Sequence, residues 1–513
     1  MNLSRVTLIT MTICVVGMAI PSGLNGQDRQ EQTPKHHHYK LIDLGTAGGP
    51  NSGLQENFLD FAGGATVQSL SNQGTAIGTA DTSTPDPLCF IDDCLYPNGL
   101  EWRDGNVTNL SPLSGGQWSS PFWISGNGLV AGASENGQTD PFLGIPEFHG
   151  VIWQDGTITD LGTLERGYLS WAFSVNNQGH VVGFAFNATP DPYNPVAPCS
   201  GGQVCTQARA FLWDKQNGMQ DLGTLGGPDA VASLVNDHGQ VAGVSYTGTD
   251  PSTNCGVLSN SVLVTHPFYW DQNKGMIDMG TLGGTCAQPN AINNRGQIVG
   301  VSNLAGDSAS HGFVWDRGVL SDVGTLGGSF SSAVWVNDAG DVIGYATTSG
   351  DQYVHGYLRK HGVMIDLGSL PGENCSNVWG INASKQIVGG SLDCQNPVNG
   401  TGHASLWENG GPTVDLNVLV APGSDLALTY AYFINDRGEI AVSGALSNGD
   451  THAVVLIPCD ENHPDLAGCD YSIVEASAVA STPPAQREVS GHLPAPALWY
   501  RSNRSHSLAV GRR

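Results

Sequence analysis

The clearest alternation of apolar and polar positions in the chain lies between Gly280 and Val323, where it predicts four short β-strands. These segments are rich in Ile, Val, Leu, Phe and Trp and span residues 290–293, 297–302, 311–315 and 319–323. The first two are joined by Asn293-Asn-Arg-Gly296, whose polar composition and final glycine are typical of a tight hairpin turn. Four such strands in about 44 residues match the size of one β-propeller blade.

The same unit recurs along the chain. The phrase Asp-Leu-Gly-Thr-Leu-Gly-Gly or a near copy ends each unit at residues 221–227, 278–284 and 322–328. Weaker copies begin at Asp43, Asn109, Asp160, Asp366 and Asp415. Intervals of roughly 45 to 65 residues indicate a repeat fold, and we distinguish eight sets of strands.

The two ends of the repeat region complement each other. The eighth set stops after its third segment, 452–456, whereas an unpaired fourth-strand segment, Tyr39-Lys-Leu-Ile-Asp-Leu44, stands near the N-terminus. Pairing these segments would complete the last blade and close a ring without exposed sheet edges. The sequence therefore predicts an all-β fold, a single eight-bladed propeller closed by its N-terminal strand. Seven blades or a β-solenoid are the alternatives.

Outside residues 39–458 the repeat pattern is absent. An apolar run from Val6 to Ile20, followed by Pro21 and small residues, predicts a secretory signal peptide over residues 1–26, and residues 27–38 form a leader. Residues 459–513 are predicted to form a small clasp followed by a flexible tail rich in Ser, Pro and Ala. These features predict secretion, to the extracellular space or the cell envelope.

The net charge limits the possible partners, and the cysteine count indicates the compartment. A net charge of −26 would repel nucleic acid and anionic lipid, so we expect neither partner. No later stretch is apolar enough to be an integral membrane span. Without Cys14, ten cysteines remain, as expected in an oxidising compartment. Pairing of sequence neighbours is our hypothesis, and zinc binding is the alternative: Cys89–Cys94, Cys199–Cys205, Cys255–Cys286, Cys375–Cys394 and Cys459–Cys469.

Three recurring phrases resemble one known family. The Asp-Leu-Gly-Thr-Leu-Gly-Gly phrase, the phrase Ile-Asn-x-x-Gly-Gln-Ile-Val-Gly and the phrase His-Gly/Ala-Phe-x-Trp occur in the same order as in HAF family probable extracellular repeat proteins. The family's three-letter signature is most nearly seen at His311-Gly-Phe313 and His403-Ala-Ser405. The resemblance implies secretion and a repeat fold, and it brings no catalytic residues with it.

Histidine opens the third strand of six sets, at His149, His266, His311, His355, His403 and His452. Equivalent positions in different blades lie around a ring and do not converge on one ion. We therefore expect a hydrogen bond within each blade, to the Asp of the Asp-Leu-Gly phrase. A lone Asp followed by apolar residues is also a poor calcium loop, and we interpret residues 36–38 as a solvated leader. We predict no metal site and no cofactor.

Aromatic and acidic residues were the remaining candidates. The third-strand tryptophans recur with the repeat and are predicted to pack between blades, whereas irregular first-strand aromatics could either fill the channel or stack on a ligand: Trp118, Trp123, Trp171, Trp335, Trp379 and Tyr432. Glu165 and Glu373 replace small residues near the channel and are the acids a hydrolase could use. No nucleophile or phosphate motif accompanies them, so we assign no catalytic residue.

The loops between second and third strands are long in sets one to four, at residues 79–98, 133–148, 184–207 and 246–265. Because function often resides on loops held by a rigid scaffold, the sequence predicts a disulfide-braced binding face there. The leading hypothesis is a secreted binding or adhesion module for an extracellular ligand, a glycan or a protein. The alternatives are a propeller-type glycan hydrolase or lyase and a structural envelope protein. The oligomeric state is not predicted.

Overall fold

A computed structural model describes residues 35–54, 67–87, 94–141, 144–191, 206–251, 263–395 and 402–475, apart from the single positions 104, 409 and 422. The described residues belong to one compact unit, and the predicted signal peptide, residues 1–26, lies outside the described ranges. No helix of the described ranges is long and apolar enough to cross a membrane. The described helical segments are two short 3-10 turns, Ser349–Asp351 and Leu416–Val418.

Apart from a two-stranded ribbon of Lys35–His37 with Ile473–Glu475, the described strands group into eight antiparallel four-stranded units, which confirms the predicted eight-bladed propeller. Blades 1 and 2 comprise Gly48–Gly53, Ala76–Pro85, Leu95–Arg103 and Asn106–Leu110, then Ser119–Ile124, Val130–Thr139, Pro146–Gln154 and Thr157–Asp160. Blades 3 and 4 comprise Ser170–Val175, Val181–Pro190, Thr206–Asp214 and Gly218–Asp221, then Ala230–Val235, Val241–Pro251, Leu263–Asp271 and Gly275–Asp278.

The second half of the ring repeats this order with shorter second strands. Blades 5 and 6 comprise Gly283–Ile292, Ile298–Leu304, Ser310–Asp316 and Val319–Asp322, then Gly327–Val336, Val342–Thr348, Val354–Lys360 and Val363–Asp366. Blades 7 and 8 comprise Cys375–Ile381, Ile387–Leu392, His403–Trp407 and Val414–Asp415, then Ala427–Ile434, Ile440–Ala445, Thr451–Pro458 and Tyr39–Asp43. Blades 4 to 6 also form one continuous sheet, because single parallel bridges link Thr265 to Cys286 and Ser310 to Phe330.

The N-terminal strand closes the ring as predicted. Tyr39–Asp43 pairs antiparallel with Thr451–Pro458, in a register that sets Tyr39 opposite Pro458 and Asp43 opposite Val454. Leu456 is fully buried, and Tyr39 is nearly so, in a core shared with blade 7. Pairing the first strand of the propeller with the last leaves no open blade, which removes the exposed edge that an incomplete sheet would present.

Glycines of the second and third strands allow the blades to pack closely. A Cβ added at Gly300 would lie 2.0 Å from the Gln288 carbonyl oxygen and 2.8 Å from the Phe313 ring. A Cβ at Gly312 would lie 2.8 Å from the amide nitrogen of Ala333 in the next blade. The glycines of the Ile-Val-Gly and His-Gly phrases are therefore required by close approach within and between blades.

The turns between first and second strands link neighbouring blades, a role that their hairpin composition did not predict. The Asn176 side chain accepts from the Gln178 and His180 amides, while its Nδ2 donates to the Asn236 carbonyl of blade 4 at 2.9 Å. The same donation recurs around the ring from Asn236 to Asn293, Asn293 to Asn337, Asn337 to Asn382, Asn382 to Asn435 and Asn435 to Ser71.

These hydrogen bonds between neighbouring blades form a girdle around the ring. At the two remaining blade junctions, other side chains make the hydrogen bond. Gln68 Nε2 donates to the Ile124 carbonyl between blades 1 and 2, and Asn127 Nδ2 donates to the Asn177 carbonyl between blades 2 and 3. Lys385 stands where the other turns have glycine and adopts a left-handed φ of 66°. Side-chain hydrogen bonds thus cross all eight blade junctions near one end of the inner strands.

Candidate functional site

The third-strand histidines bind the repeat aspartates within each blade, as predicted, in five of six cases. His266 Nδ1 lies 2.9 Å from Asp278 Oδ2, and Asp278 Oδ1 accepts from the Gly280 amide. Equivalent pairs are His149–Asp160, His311–Asp322, His355–Asp366 and His452–Asp43. Burial raises the pKa of Asp278, but the hydrogen bonds from His266 and Gly280 and the charge of His266 outweigh it, so that this pKa lies below its usual range.

Two blades depart from this pattern. In blade 3, Arg209 Nε donates to Asp221 at 3.0 Å in place of a histidine. In blade 7, His403 Nδ1 lies 2.6 Å from Glu373 Oε1, because Asp415 is buried and instead accepts from Asn417. In both blades a basic side chain still contacts a carboxylate: a guanidinium in blade 3 and an imidazole in blade 7.

The two acids proposed for a hydrolase are not brought together. The Glu165 side chain is 89% exposed beside Arg166, in the turn before blade 3. Glu373 is buried before blade 7 and holds His403. These turns lie four blades apart, on opposite sides of the ring, so Glu165 and Glu373 do not form an acid–base pair.

Some of the first-strand aromatics meet at the centre of the ring. Trp123 of blade 2 stacks on Trp335 of blade 6 at 6.2 Å between ring centroids, and Trp335 meets Phe433 of blade 8 edge-on at 5.4 Å. Blades 2 and 6 stand opposite each other in an eight-membered ring, so these side chains fill its centre. For Trp123 and Trp335, core filling is therefore the better of the two interpretations. Trp379 and Tyr432 contact Tyr345 and Tyr430 instead.

A second aromatic cluster lies beneath the long hairpins of blades 2 and 3. Trp118 meets Phe148 edge-on at 5.1 Å, and Trp171 stacks on Phe122 at 5.8 Å. Trp118, Phe122 and Phe148 are buried, whereas Trp171 is only partly so. Tyr96 of blade 1 packs against the same cluster. Trp171 thus gives this apolar cluster a partly solvent-accessible aromatic side chain.

Two carboxyl groups interact electrostatically at the edge of this cluster. Glu135 lies within the second strand of blade 2 and is 5% exposed, and its Oε2 accepts from the Gln117 amide at 2.9 Å. Burial and the charge of Asp86 raise the pKa of Glu135 in spite of the amides of Gln117 and Trp118. Burial, Glu135 and Asp86 in turn raise the pKa of Tyr96. Asp86, Tyr96 and Glu135 therefore form one electrostatically connected group at the junction of blades 1 and 2.

An equivalent junction joins blades 3 and 4. Asp191 and Asp229 are 3% and 2% exposed, and their carboxyl groups are hydrogen-bonded to each other. Asp229 Oδ1 also accepts from the Ala208 amide at 2.7 Å. Burial, followed by the hydrogen bond and charge of Asp191, raises the pKa of Asp229 to about 8, although Ala208 and Arg209 oppose the shift. Asp229 consequently keeps its proton near neutral pH.

A sequence signal for these acids existed and was missed. An Asp-Pro step stands at the end of the second strand or directly after it in blades 1 to 4, at Asp86, Asp140, Asp191 and Asp250. In blades 1 to 3 this Asp is buried. The second strand of each of these blades has ten residues, whereas the second strands of blades 5 to 8 have six or seven. The difference in hairpin length between the two halves of the ring is therefore present, although parts of the long loops (88–93, 142–143, 192–205 and 252–262) lie outside the described residues.

Disulfides support part of the predicted pairing. Cys375–Cys394 and Cys459–Cys469 are bonded, with Cα atoms 5.7 and 5.4 Å apart. Cys94 and Cys286 are also disulfide-bonded. Their predicted partners Cys89 and Cys255 lie outside the described residues, as does the predicted pair Cys199–Cys205.

Comparison with known proteins gives matches among solved structures alone. No family model and no curated protein matches the chain. Similar structures include a puromycin-hydrolyzing peptidase of Mycobacterium tuberculosis (9% identity, TM-score 0.41, 80% of this chain and 62% of that chain). They also include the β-propeller domain of the Trilobed protease of Pyrococcus furiosus (9%, 0.40, 69% and 96%) and the Pyrococcus horikoshii acylaminoacyl peptidase (10%, 0.39, 76% and 58%).

These similarities correct the leading functional hypothesis. The prediction of a binding or adhesion module is contradicted, because the similar structures are those of peptidases and of a protease domain. The chain spans less than two thirds of the length of two of these proteins. At 9–10% identity the likeness concerns the fold, and it does not identify a reaction or a substrate.

Proposed function

We propose that this chain is a glycan-directed hydrolase whose reacting groups are Glu135 and Asp86, at the junction of blades 1 and 2. The observation that carries the proposal is the Glu135 carboxyl, which accepts from the Gln117 amide next to Trp118 of the aromatic cluster and whose pKa is raised by burial and by the charge of Asp86. Pairs of carboxyl groups with one raised pKa are the usual means by which glycosidases supply a proton donor near neutral pH.

The chemistry assigns different roles to the two acids. A protonated Glu135 would donate its proton to the oxygen of the departing sugar, while Asp86 would accept a proton from the attacking water. Each turnover then cleaves one glycosidic bond, consumes one water and returns the proton from Asp86 to Glu135 through solvent. The Gln117 amide, which donates to Glu135 Oε2, would hold the carboxyl in place.

The aromatic residues support a sugar substrate. Trp171 lies partly exposed over Phe122, and the apolar faces of pyranose rings stack on such surfaces. Tyr96, whose phenol lies near both acids, would supply a hydrogen bond to a sugar hydroxyl. Secretion and membership of the HAF family remain part of this proposal, and the two disulfides and the absence of a membrane-crossing helix in the described ranges are compatible with an extracellular location.

Sugar release from a panel of polysaccharides by the mature protein tests the proposal. We expect release by the wild type and a loss of about 100-fold or more in rate for Glu135→Gln, with Asp86→Asn similarly impaired. Glu165→Gln is the matched control, because its exposed carboxyl lies in the turn before blade 3, and it should retain full activity. Each variant must keep the wild-type circular dichroism spectrum. No release by the wild type, or an unchanged rate in Glu135→Gln, would overturn the proposal.

A further inference from the structure

Two segments that flank the propeller meet beside the closing strand. Lys35–His37 pairs antiparallel with Ile473–Glu475, which sets His36 opposite Val474. Val474 packs against the core cluster that contains Tyr39. The short ribbon therefore lies directly before the strand Tyr39–Asp43 that completes blade 8.

The N-terminal half of this ribbon is anchored in the blade 7 region, which corrects the expectation of a solvated leader. The His36 side chain is fully buried, and its Nδ1 lies 2.6 Å from Glu408 Oε1. Glu408 Oε2 accepts from Gln386 Nε2 at 2.7 Å, and Gln386 belongs to the girdle turn of blade 7. A paired acid and imidazole hold this end because neither group could be buried alone.

The C-terminal half depends on the clasp. The Cys459 amide donates to the His38 carbonyl at 2.8 Å, and the Cys459–Cys469 disulfide then closes a ten-residue loop. Within that loop His463 is 5% exposed and lies between Asp460 and Glu439, at 2.8 and 3.1 Å. Tyr471 Oη donates to the His463 carbonyl and accepts from the Leu466 amide, which ties the loop to the segment leading into Ile473–Glu475.

We propose that residues 35–38 and 459–475 form a redox-sensitive latch that holds the N-terminal closing strand in the ring. An external dithiol would reduce the Cys459–Cys469 bond. The bond would take up two electrons and two protons to give two cysteine thiols, and the dithiol, which supplies them, would be oxidised to its own disulfide. The freed loop would no longer position His463, Tyr471 and strand 473–475. The N-terminal segment would then lose its ribbon partner, and the closing strand would open more often.

Trypsin cleavage after Lys40 measures this opening, since Lys40 lies within the closing strand. With closure fast relative to cleavage, the rate follows the open population. We expect Cys459→Ser/Cys469→Ser, without reductant, to be cleaved there at least about tenfold faster than the wild type. Cys375→Ser/Cys394→Ser removes the blade 7 disulfide and is the matched control, expected to be cleaved after Lys40 at the wild-type rate.

A milder variant covers the case in which the double substitution does not fold. Tyr471→Phe leaves both cysteines in place and deletes the hydroxyl that joins the clasp to strand 473–475, so we expect an intermediate acceleration. Thiol labelling and mass spectrometry would establish which cysteines a dithiol reduces in the wild type. Unchanged cleavage after Lys40 when Cys459 and Cys469 are labelled, or in Tyr471→Phe, would overturn the latch. Equal acceleration in the blade 7 control would do so too.

Discussion

The Asn435 side chain donates from Nδ2 to the Ser71 carbonyl oxygen at 2.9 Å, across 364 positions of sequence. The bond joins the last blade to the first, beside the pair formed by the Asp436 amide and Asn72 Oδ1 at 3.0 Å. Ring closure thus has two separate components. One is main-chain strand pairing at the outer edge of blade 8, and the other is a side-chain hydrogen bond at the inner edge. The inner component uses the same turn chemistry as the other blade junctions.

Replacing Asn435 tests the girdle. Asn435→Ala removes the bond to Ser71 and the acceptor for the Arg437 and Glu439 amides, and it leaves buried polar groups without partners. We expect the free energy of unfolding to fall by about 2 to 3 kcal/mol, measured by chemical denaturation. Asn448→Ala, in an exposed turn bound to Asp450 alone, should change it by less than about 0.5 kcal/mol. Equal losses in the two variants would refute the role of the girdle.

Close packing at the second-strand glycine makes Gly300 a steric test. Gly300→Ala places a methyl group 2.0 Å from the Gln288 carbonyl oxygen and against the Phe313 ring, so the strands must separate. We expect a loss of about 1 to 3 kcal/mol or failure to accumulate as folded protein. Gly248→Ala is the control, because an added Cβ there meets no atom within 4 Å. Thermal unfolding of both variants separates crowding from any general intolerance of alanine.

The raised pKa of Asp229 predicts a specific pH dependence. Because the folded-state pKa of Asp229 is raised to about 8, above its value in the unfolded chain, its contribution to stability is greatest at low pH. That contribution declines as pH rises from about 4 and is lost once the pH passes about 8. Asp229→Asn retains the hydrogen bond without the ionisation and should remove this part of the slope. The exposed-site variant Glu461→Gln should leave it unchanged, and an unaltered slope in Asp229→Asn would contradict the assignment.

Blade 3 suggests how far the repeat histidine can be replaced. Arg209 bonds Asp221 where other blades have histidine, so a guanidinium fits this position. We expect His266→Ala to lower stability by about 0.5 to 1 kcal/mol, because Asp278 is 44% exposed and solvent screens the pair. His266→Arg should restore at least half of that loss in a denaturation experiment. A larger loss in the arginine variant than in the alanine variant would show that the imidazole itself is required.

The repeat pattern in the sequence was sufficient for the fold, because every blade carries the same local signals. The strand periods, the Asn-x-x-Gly turns and the unpaired segment at Tyr39 together predicted the number of blades and their closure. The His266–Asp278 type of pair followed from the same regularity, since both residues hold fixed positions in each unit.

The candidate site was not predictable in the same way, because it depends on what differs between blades. Glu135 and Asp86 come from neighbouring units, and their proximity follows from the lateral packing of two hairpins. The repeated Asp-Pro step was the available signal, but it indicates a turn as readily as an acid site. Glu165 was favoured because it interrupts the repeat, and the structure places it in solvent instead. The burial of His36 likewise depends on Glu408, 372 positions away.

The stacked rings of Trp123 and Trp335 give the protein an intrinsic optical reporter. Two indoles at a centroid distance of 6.2 Å couple their electronic transitions, which should produce a paired positive and negative band in circular dichroism. Blades 2 and 6 are held opposite each other by the closed ring of blades. The signal would therefore vanish when the ring opens, even where every individual sheet stays intact. Loss of circular closure can therefore be followed in real time, without a label, and separately from the melting of the strands.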